Sequence, residues 1–164
     1  MDYFKYLSNV ARLNRKKTDP YKFIFTGSPG EDKTEIQLFS FSDDYCNEQK
    51  EIKLENVEDL KTGDHINWLN IYGLSQADQI AEFCQKMGID NLVIQDLLDL
   101  KQRPKFQEFE EYCFLTIKST LPIEDKMEVE QISFIFGENF LISLQENSLM
   151  LWKHSPLRVS FGRD

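Results

Sequence analysis

Between Gly88 and Lys118 the chain reads GIDNLVIQDLLDLKQRPKFQEFEEYCFLTIK, and the order of patterns in this stretch leaves few folds open. Asp90 is placed to cap a helix. After it, Val93, Leu97 and Leu100 recur at helical spacing, Ile94 and Leu98 widen the buried stripe, and Gln95, Asp96 and Asp99 fall on the wetter side. Pro104 has no N–H and pushes Arg103 towards extended backbone, so the helix must stop before it, with Arg103 placed to meet the last carbonyls or an acid. Tyr112–Lys118 follows as a largely apolar strand. An acidic helix, a broken turn and a strand in direct succession call for a mixed α/β domain in which helices cover a sheet.

The flanking sequence extends that architecture. Lys22–Thr26 and Thr34–Phe41 read as strands joined through Gly-Ser-Pro-Gly in a hairpin-like connection, with a third short strand near Lys50–Leu54. Ile66–Tyr72 alternates with two contacting faces, as an inner strand does. Ser75 and Asp78 form a capping-box pattern ahead of Ala77, Ile80, Ala81, Cys84 and Met87, and Gly88 closes that helix. Gln131–Phe136 and Phe140–Leu144 flank Gly137-Glu138-Asn139, the chemistry of a tight hairpin. Residues 1–19 read as a basic arm, residues 20–164 as one domain, and Asn147–Asp164 as further packing anchored by Trp152.

At 164 residues the chain has the length of one domain. Its net charge of −9 is uneven, since residues 1–19 carry +3 and the remainder −12. That balance argues against nucleic acid, which is held by clustered Lys and Arg, and in favour of cations near the surface. Cys46, Cys84 and Cys113 are odd in number and form no C-x-x-C, which suits a reducing cytosol and reads as small buried hydrophobes. No run approaches the roughly 18–20 apolar residues of a spanning helix.

Gly27–Thr34 (GSPGEDKT) nearly matches a phosphate-binding loop, but Asp32 stands at the second glycine and the strand-like TEIQLFSF follows where a helix is required. It reads as a surface turn. His65 and His154 are the only histidines, neither at metal-ligand spacing, and no nucleophile elbow is present, so an enzyme is not expected. His65 beside Asp64 reads as part of an exposed turn. Asp96 and Asp99, at i and i+3, would lie roughly 5–6 Å apart on one helical face, where two oxygen donors suit a hard cation such as Mg²⁺. A solvated face explains the same pair.

Taken in order, Asn67–Gly73 (NWLNIYG), the Gly88–Lys118 segment and Glu128–Glu146 (EVEQISFIFGENFLISLQE) resemble the cytosolic domain of the CorA family of Mg²⁺/Co²⁺ transport proteins, from about Trp68 to Arg158. The resemblance implies a three-layer α-β-α domain with a mixed, largely antiparallel central sheet. It implies a place at the cytoplasmic face of the cell membrane, in a homopentamer where Mg²⁺ between subunits stabilises the closed pore. Co²⁺ enters as a second ion. In the family, a Glu-Asp pair on this helix faces the neighbouring subunit, and its Asp binds regulatory Mg²⁺ with an acid from that subunit's stalk. Asp96 matches the Asp, Gln95 stands where Glu is usual, and Asp99 is added by proximity alone.

The sequence also departs from the family. Its Gly-Met-Asn pore motif is missing, and only six residues follow Ser155–Arg158 (SPLR), which resembles the start of the stalk helix. The chain therefore reads as a cation-sensing regulatory domain without stalk and transmembrane helices. A free-standing interaction module that kept the fold is the alternative, and a hydrolase using Asp96 and Asp99 around a metal is the poorest reading.

Overall fold

Seven strands form a single sheet in the order β2-β1-β3-β7-β6-β5-β4. The structure is a computed structural model, and it describes Phe23, Thr26 and residues 34–123 and 126–146. The strands are β1 (Glu35–Phe41), β2 (Cys46–Lys50), β3 (Ile66–Tyr72), β4 (Lys105–Glu108), β5 (Cys113–Ile123), β6 (Lys126–Phe136) and β7 (Phe140–Gln145). Every neighbouring pair is antiparallel except β3 and β7, which run parallel with Leu69 opposite Ile142 and Ile71 opposite Leu144. The sheet is thus mixed and largely antiparallel, as expected, and β3 is an inner strand.

Two helices, α1 (Ala77–Lys86) and α2 (Asn91–Leu98), occupy the long connection between the parallel strands. Period-two alternation turns Ile36, Leu69, Ile71, Phe114, Ile135, Ile142 and Leu144 to one face of the sheet. There they join Ile80, Cys84, Val93, Ile94, Leu97 and Leu98 from the helices in one core cluster. Burial of this kind, worth about 1.5–3 kcal/mol for each large aliphatic side chain, is what holds helices to sheet. Among the described residues α1 and α2 form one helical layer of the expected α-β-α arrangement; the 1–19 arm, the phosphate-loop look-alike up to Lys33, and Asn147–Asp164 lie outside them.

The termini of the helices differ from the sequence expectation in instructive ways. Ser75 does not cap α1: the N-cap is Gln76, without a side-chain bond, and the Ser75 hydroxyl lies 2.8 Å from that of Thr34. A long-range hydroxyl partner has outcompeted the local one. Gly88 closes α1 at φ +77, with its N–H donating to Gln85 O and the Ile89 N–H to Cys84 O, both at 3.0 Å. This double bond pattern needs a left-handed residue, hence glycine. Asp90 caps α2 as expected, accepting from the Leu92 N–H at 2.7 Å, while its own N–H donates to the Tyr112 hydroxyl at 3.0 Å.

Both edges of β1 are taken, by β2 and β3, and the Thr26 N–H donates to Leu98 O, at 3.2 Å; apart from Phe23 and Thr26, the expected Lys22–Thr26 strand and its connection to β1 lie outside the described residues. Two further expectations are corrected. The strand expected near Lys50–Leu54 lies earlier, at Cys46–Lys50, because β1 folds straight back through Ser42–Tyr45, and Leu54–Asn56 is a 3-10 turn. Cys46 is exposed on the edge strand β2 and Cys113 half-buried, which leaves Cys84 as the one fully buried small hydrophobe of the three. His65 is exposed as expected, with its ring stacked on Tyr45 at 4.6 Å.

Candidate functional site

The acidic end of α2 is built from four parts of the chain. The helix stops at Leu98, well before Pro104, because Asp99 leaves helical geometry at φ −92, ψ 94. Its Oδ1 accepts from the Thr26 hydroxyl at 2.9 Å and the Lys101 N–H at 3.1 Å, and its Oδ2 accepts from the Gln102 amide at 3.2 Å. An aspartate that bonds the N–H two residues on offers the backbone an alternative to the helix, and here that alternative wins. Thr26 completes the latch by accepting from the Leu100 N–H, and the Lys118 ammonium donates to Leu100 O at 2.6 Å and Gln131 Oε1 at 2.9 Å. These contacts do the work expected of Arg103, which is exposed.

Asp96 and Asp99 therefore do not share a helical face. Asp96 stays on the last turn of α2, and its Oδ2 is ion-paired with the ammonium of Lys105, the first residue of β4. The two side chains are only 20% and 28% exposed, respectively. The ammonium also lies 5.7 Å from the centroid of the buried Phe114 ring. Gln95 is half-buried next to Asp96 in sequence, and its carbonyl accepts from the Asp99 N–H at 3.0 Å. Lys105 is the residue that sequence reasoning missed. The available signal was the turn at Pro104: an edge strand returning beside β5 sets Lys105 opposite Thr116, on the helix side of the sheet.

Nearby charges are governed by burial. Desolvation raises the Glu146 carboxyl above the usual range, with Lys118 opposing it, and burial pushes the Tyr112 hydroxyl upward at the α1–α2 junction. Among the described residues no three or more His, Cys, Asp or Glu side chains converge to hold a metal. A cavity of about 750 Å³ opens elsewhere, between α1, the start of β1 and residues 51–55, and none of Gln95, Asp96 and Asp99 lines it.

The donor set at Asp96 can nevertheless serve a hard cation in part. Mg²⁺ keeps several waters and takes one or two carboxylates from protein. A carboxylate that already attracts a positive charge is one donor of the type such an ion takes. Asp99 has both oxygens committed to hydrogen bonds, with Thr26, Lys101 and Gln102.

Comparison with known proteins bears on the family and the fold. A family model for CorA-like Mg²⁺ transporter proteins matches residues 63–159, more than half of the chain. The chain is 32% identical over 155 residues to the cobalt/magnesium transport protein CorA of Thermotoga maritima, an alignment that covers 93% of the chain and 44% of that protein. The chain thus spans less than half the length of this curated relative. Among solved structures, the cytoplasmic domain of ZntB from Vibrio parahaemolyticus matches with a TM-score of 0.55 at 16% identity, covering 69% of this chain and 44% of that one. The full-length CmaX protein matches with a TM-score of 0.56 at 13% identity, covering 74% and 37%. These two likenesses speak for the fold. No helix among the described residues is long and apolar enough to cross a membrane. With the family model matched over most of its ordered sheet, the chain belongs to the CorA-like family of Mg²⁺ transporter proteins.

Proposed function

We propose that this chain is a divalent-cation-sensing regulatory domain of a CorA-like magnesium/cobalt transport system, acting at the cytoplasmic face of the membrane, with Asp96 as its cation ligand. The observation that carries the reading is the half-shielded Asp96 carboxylate at the end of α2, inside the matched stretch and already holding a cationic group. Asp96 supplies the charge, Gln95 a neutral oxygen beside it, and Asp99 shapes the turn that sets where the helix ends. The remaining ligands are waters and an acid from a neighbouring subunit of a homopentamer.

In this reading, Mg²⁺ bridging two acidic subunits cancels their repulsion and holds them together. Its loss favours separation, and the ion can bias a pore only through its different affinity for the two states. Co²⁺ is bound at the same oxygens. The domain carries no catalysis of its own.

Isothermal titration of the chain with MgCl₂ tests the reading. Weak binding that disappears in Asp96→Ala supports it. Tight binding that survives Asp96→Ala would place the ion elsewhere and overturn it.

A further inference from the structure

Resting on the assignment of Asp96 as a cation ligand, we propose that Lys105 is an internal competitor for that carboxylate: its ammonium occupies Asp96 until a divalent cation displaces it, and Lys105 thereby sets the cation concentration at which the site fills.

The geometry favours competition over simple coexistence. Lys105 meets Asp96 at Oδ2, so ammonium and ion contend for the negative charge of one carboxylate. Both side chains are mostly shielded from water, at 28% and 20% exposure, which spares their attraction from much of the screening that weakens exposed pairs. Asp96 is also the one acidic group in ion-pair contact with Lys105 among the described residues, so displacement breaks a single bond and no network. The ammonium lies 5.7 Å from the Phe114 ring, an additional attraction that favours the resting position.

The residue type suits the role. Lysine carries a compact charge on a flexible four-carbon stem, so it can release an oxygen and swing to water without moving its backbone. Its backbone belongs to β4, an edge strand paired on one side to β5, so release removes one tether of that strand and leaves the sheet intact. Asp99 makes the contrast clear. Its oxygens accept from a hydroxyl, a backbone N–H and an amide, neutral donors that fix a turn and offer no charge to exchange.

Charge also decides which ions can win. A monovalent ion replacing the ammonium gains no charge at Asp96, whereas a divalent ion doubles it. Lys105 thus keeps abundant monovalent cations from filling the site.

The test compares the parent chain with Lys105→Met, Lys105→Arg and Asp96→Asn by isothermal titration with MgCl₂ and by thermal melting with and without MgCl₂. Removing the competitor in Lys105→Met should tighten Mg²⁺ binding about tenfold, the factor that corresponds to about 1.4 kcal/mol. Without Mg²⁺ this variant should melt below the parent, and Mg²⁺ should raise its midpoint more than the parent's. Lys105→Arg keeps the competitor and should bind as weakly as the parent. If Lys105→Met does not fold, Lys105→Gln replaces it with the same expected outcomes. Affinity in the neutral variants equal to or weaker than the parent's overturns the competition and leaves Lys105 as a strut. The reading of Asp96 fails separately, if adding Asp96→Asn to Lys105→Met leaves Mg²⁺ binding unchanged.

Discussion

The two helices end in opposite ways. α1 terminates in a closed set of backbone bonds, from Gly88 to Gln85 and from Ile89 to Cys84, all within six residues. The end of α2 is held by side chains arriving from Thr26, Lys105, Lys118 and Gln131, at sequence separations up to 74 residues. A local, neutral terminus is insensitive to ions and to the rest of the fold. A terminus assembled from charged and polar groups of four segments depends on the rest of the fold, and the proposed sensing role calls for a terminus of that kind. The same protein therefore has one helix closed by local bonds and one closed by long-range contacts, packed on a common core.

The largest effect that would sharpen this contrast is expected at Asp99. Asp99→Ala removes the acceptor for Thr26, Lys101 and Gln102 at once, and should cost about 1–2 kcal/mol, the scale of a lost helix-terminal side-chain bond. Urea unfolding measures it. A cost near zero would mean that the polar latch merely decorates the end of α2, and the contrast with α1 would collapse. The matching change at the other terminus, Gly88→Ala, meets no atom closer than the Lys61 ammonium at 3.9 Å, so its cost is the left-handed backbone alone, about 1 kcal/mol. That cost should be independent of MgCl₂.

Cys84 provides a pH test of the α1 side. Burial pushes its thiol up to about 12 from an ordinary 9.0. The folded value lies above the unfolded one, so its contribution to stability is complete below pH 9 and is lost as pH rises towards 12. By linkage the loss between pH 9 and 10 is about 1 kcal/mol, because the unfolded chain releases this proton first. Stability of Cys84→Ala should be flatter by that amount over this interval. Above pH 10 the buried hydroxyls of Tyr72 and Tyr112, both shifted upward, add slopes of the same sign. An unchanged slope between pH 9 and 10 in Cys84→Ala would show that the thiol is reached by solvent.

This contrast also explains what could be read from the sequence. The apolar period of Ile80, Cys84, Val93 and Leu97, the closing Gly88 and the capping Asp90 are local signals, and each took its expected place. Ser75 was misleading because Thr34, forty-one residues away, claimed its hydroxyl. Asp99 was placed on the helix because propensity cannot show that Thr26 waits beside it. Strand β4 was missed since KFQE has little alternation and one apolar residue, and Lys105 with it, although Lys105 is ion-paired with Asp96. Long-range polar pairs leave no periodic trace in a chain, so the core was legible, and of the proposed site only the place of Asp96 on the last turn of α2 was.

The smallest expected effect is at Gln95, where the family's usual Glu is replaced by a neutral amide. Gln95→Glu adds a carboxylate next to Asp96, but neighbouring positions on a helix do not face each other, so the new group should act through its field and not as a second arm on the same ion. Interactions of this kind between partly exposed groups are worth about 0.2–1 kcal/mol. Mg²⁺ affinity of the chain should therefore rise by about 1.4- to fivefold, with the gain shrinking as NaCl is added and the field is screened. Titration at low and high salt reads both quantities. A salt-insensitive gain of tenfold or more would mean that the new carboxylate ligates the ion directly, which would require the end of α2 to open further than its latch of Thr26 and Lys118 permits. Superimposable curves would mean that the end of α2 presents only Asp96 to cations, with Gln95 committed to packing.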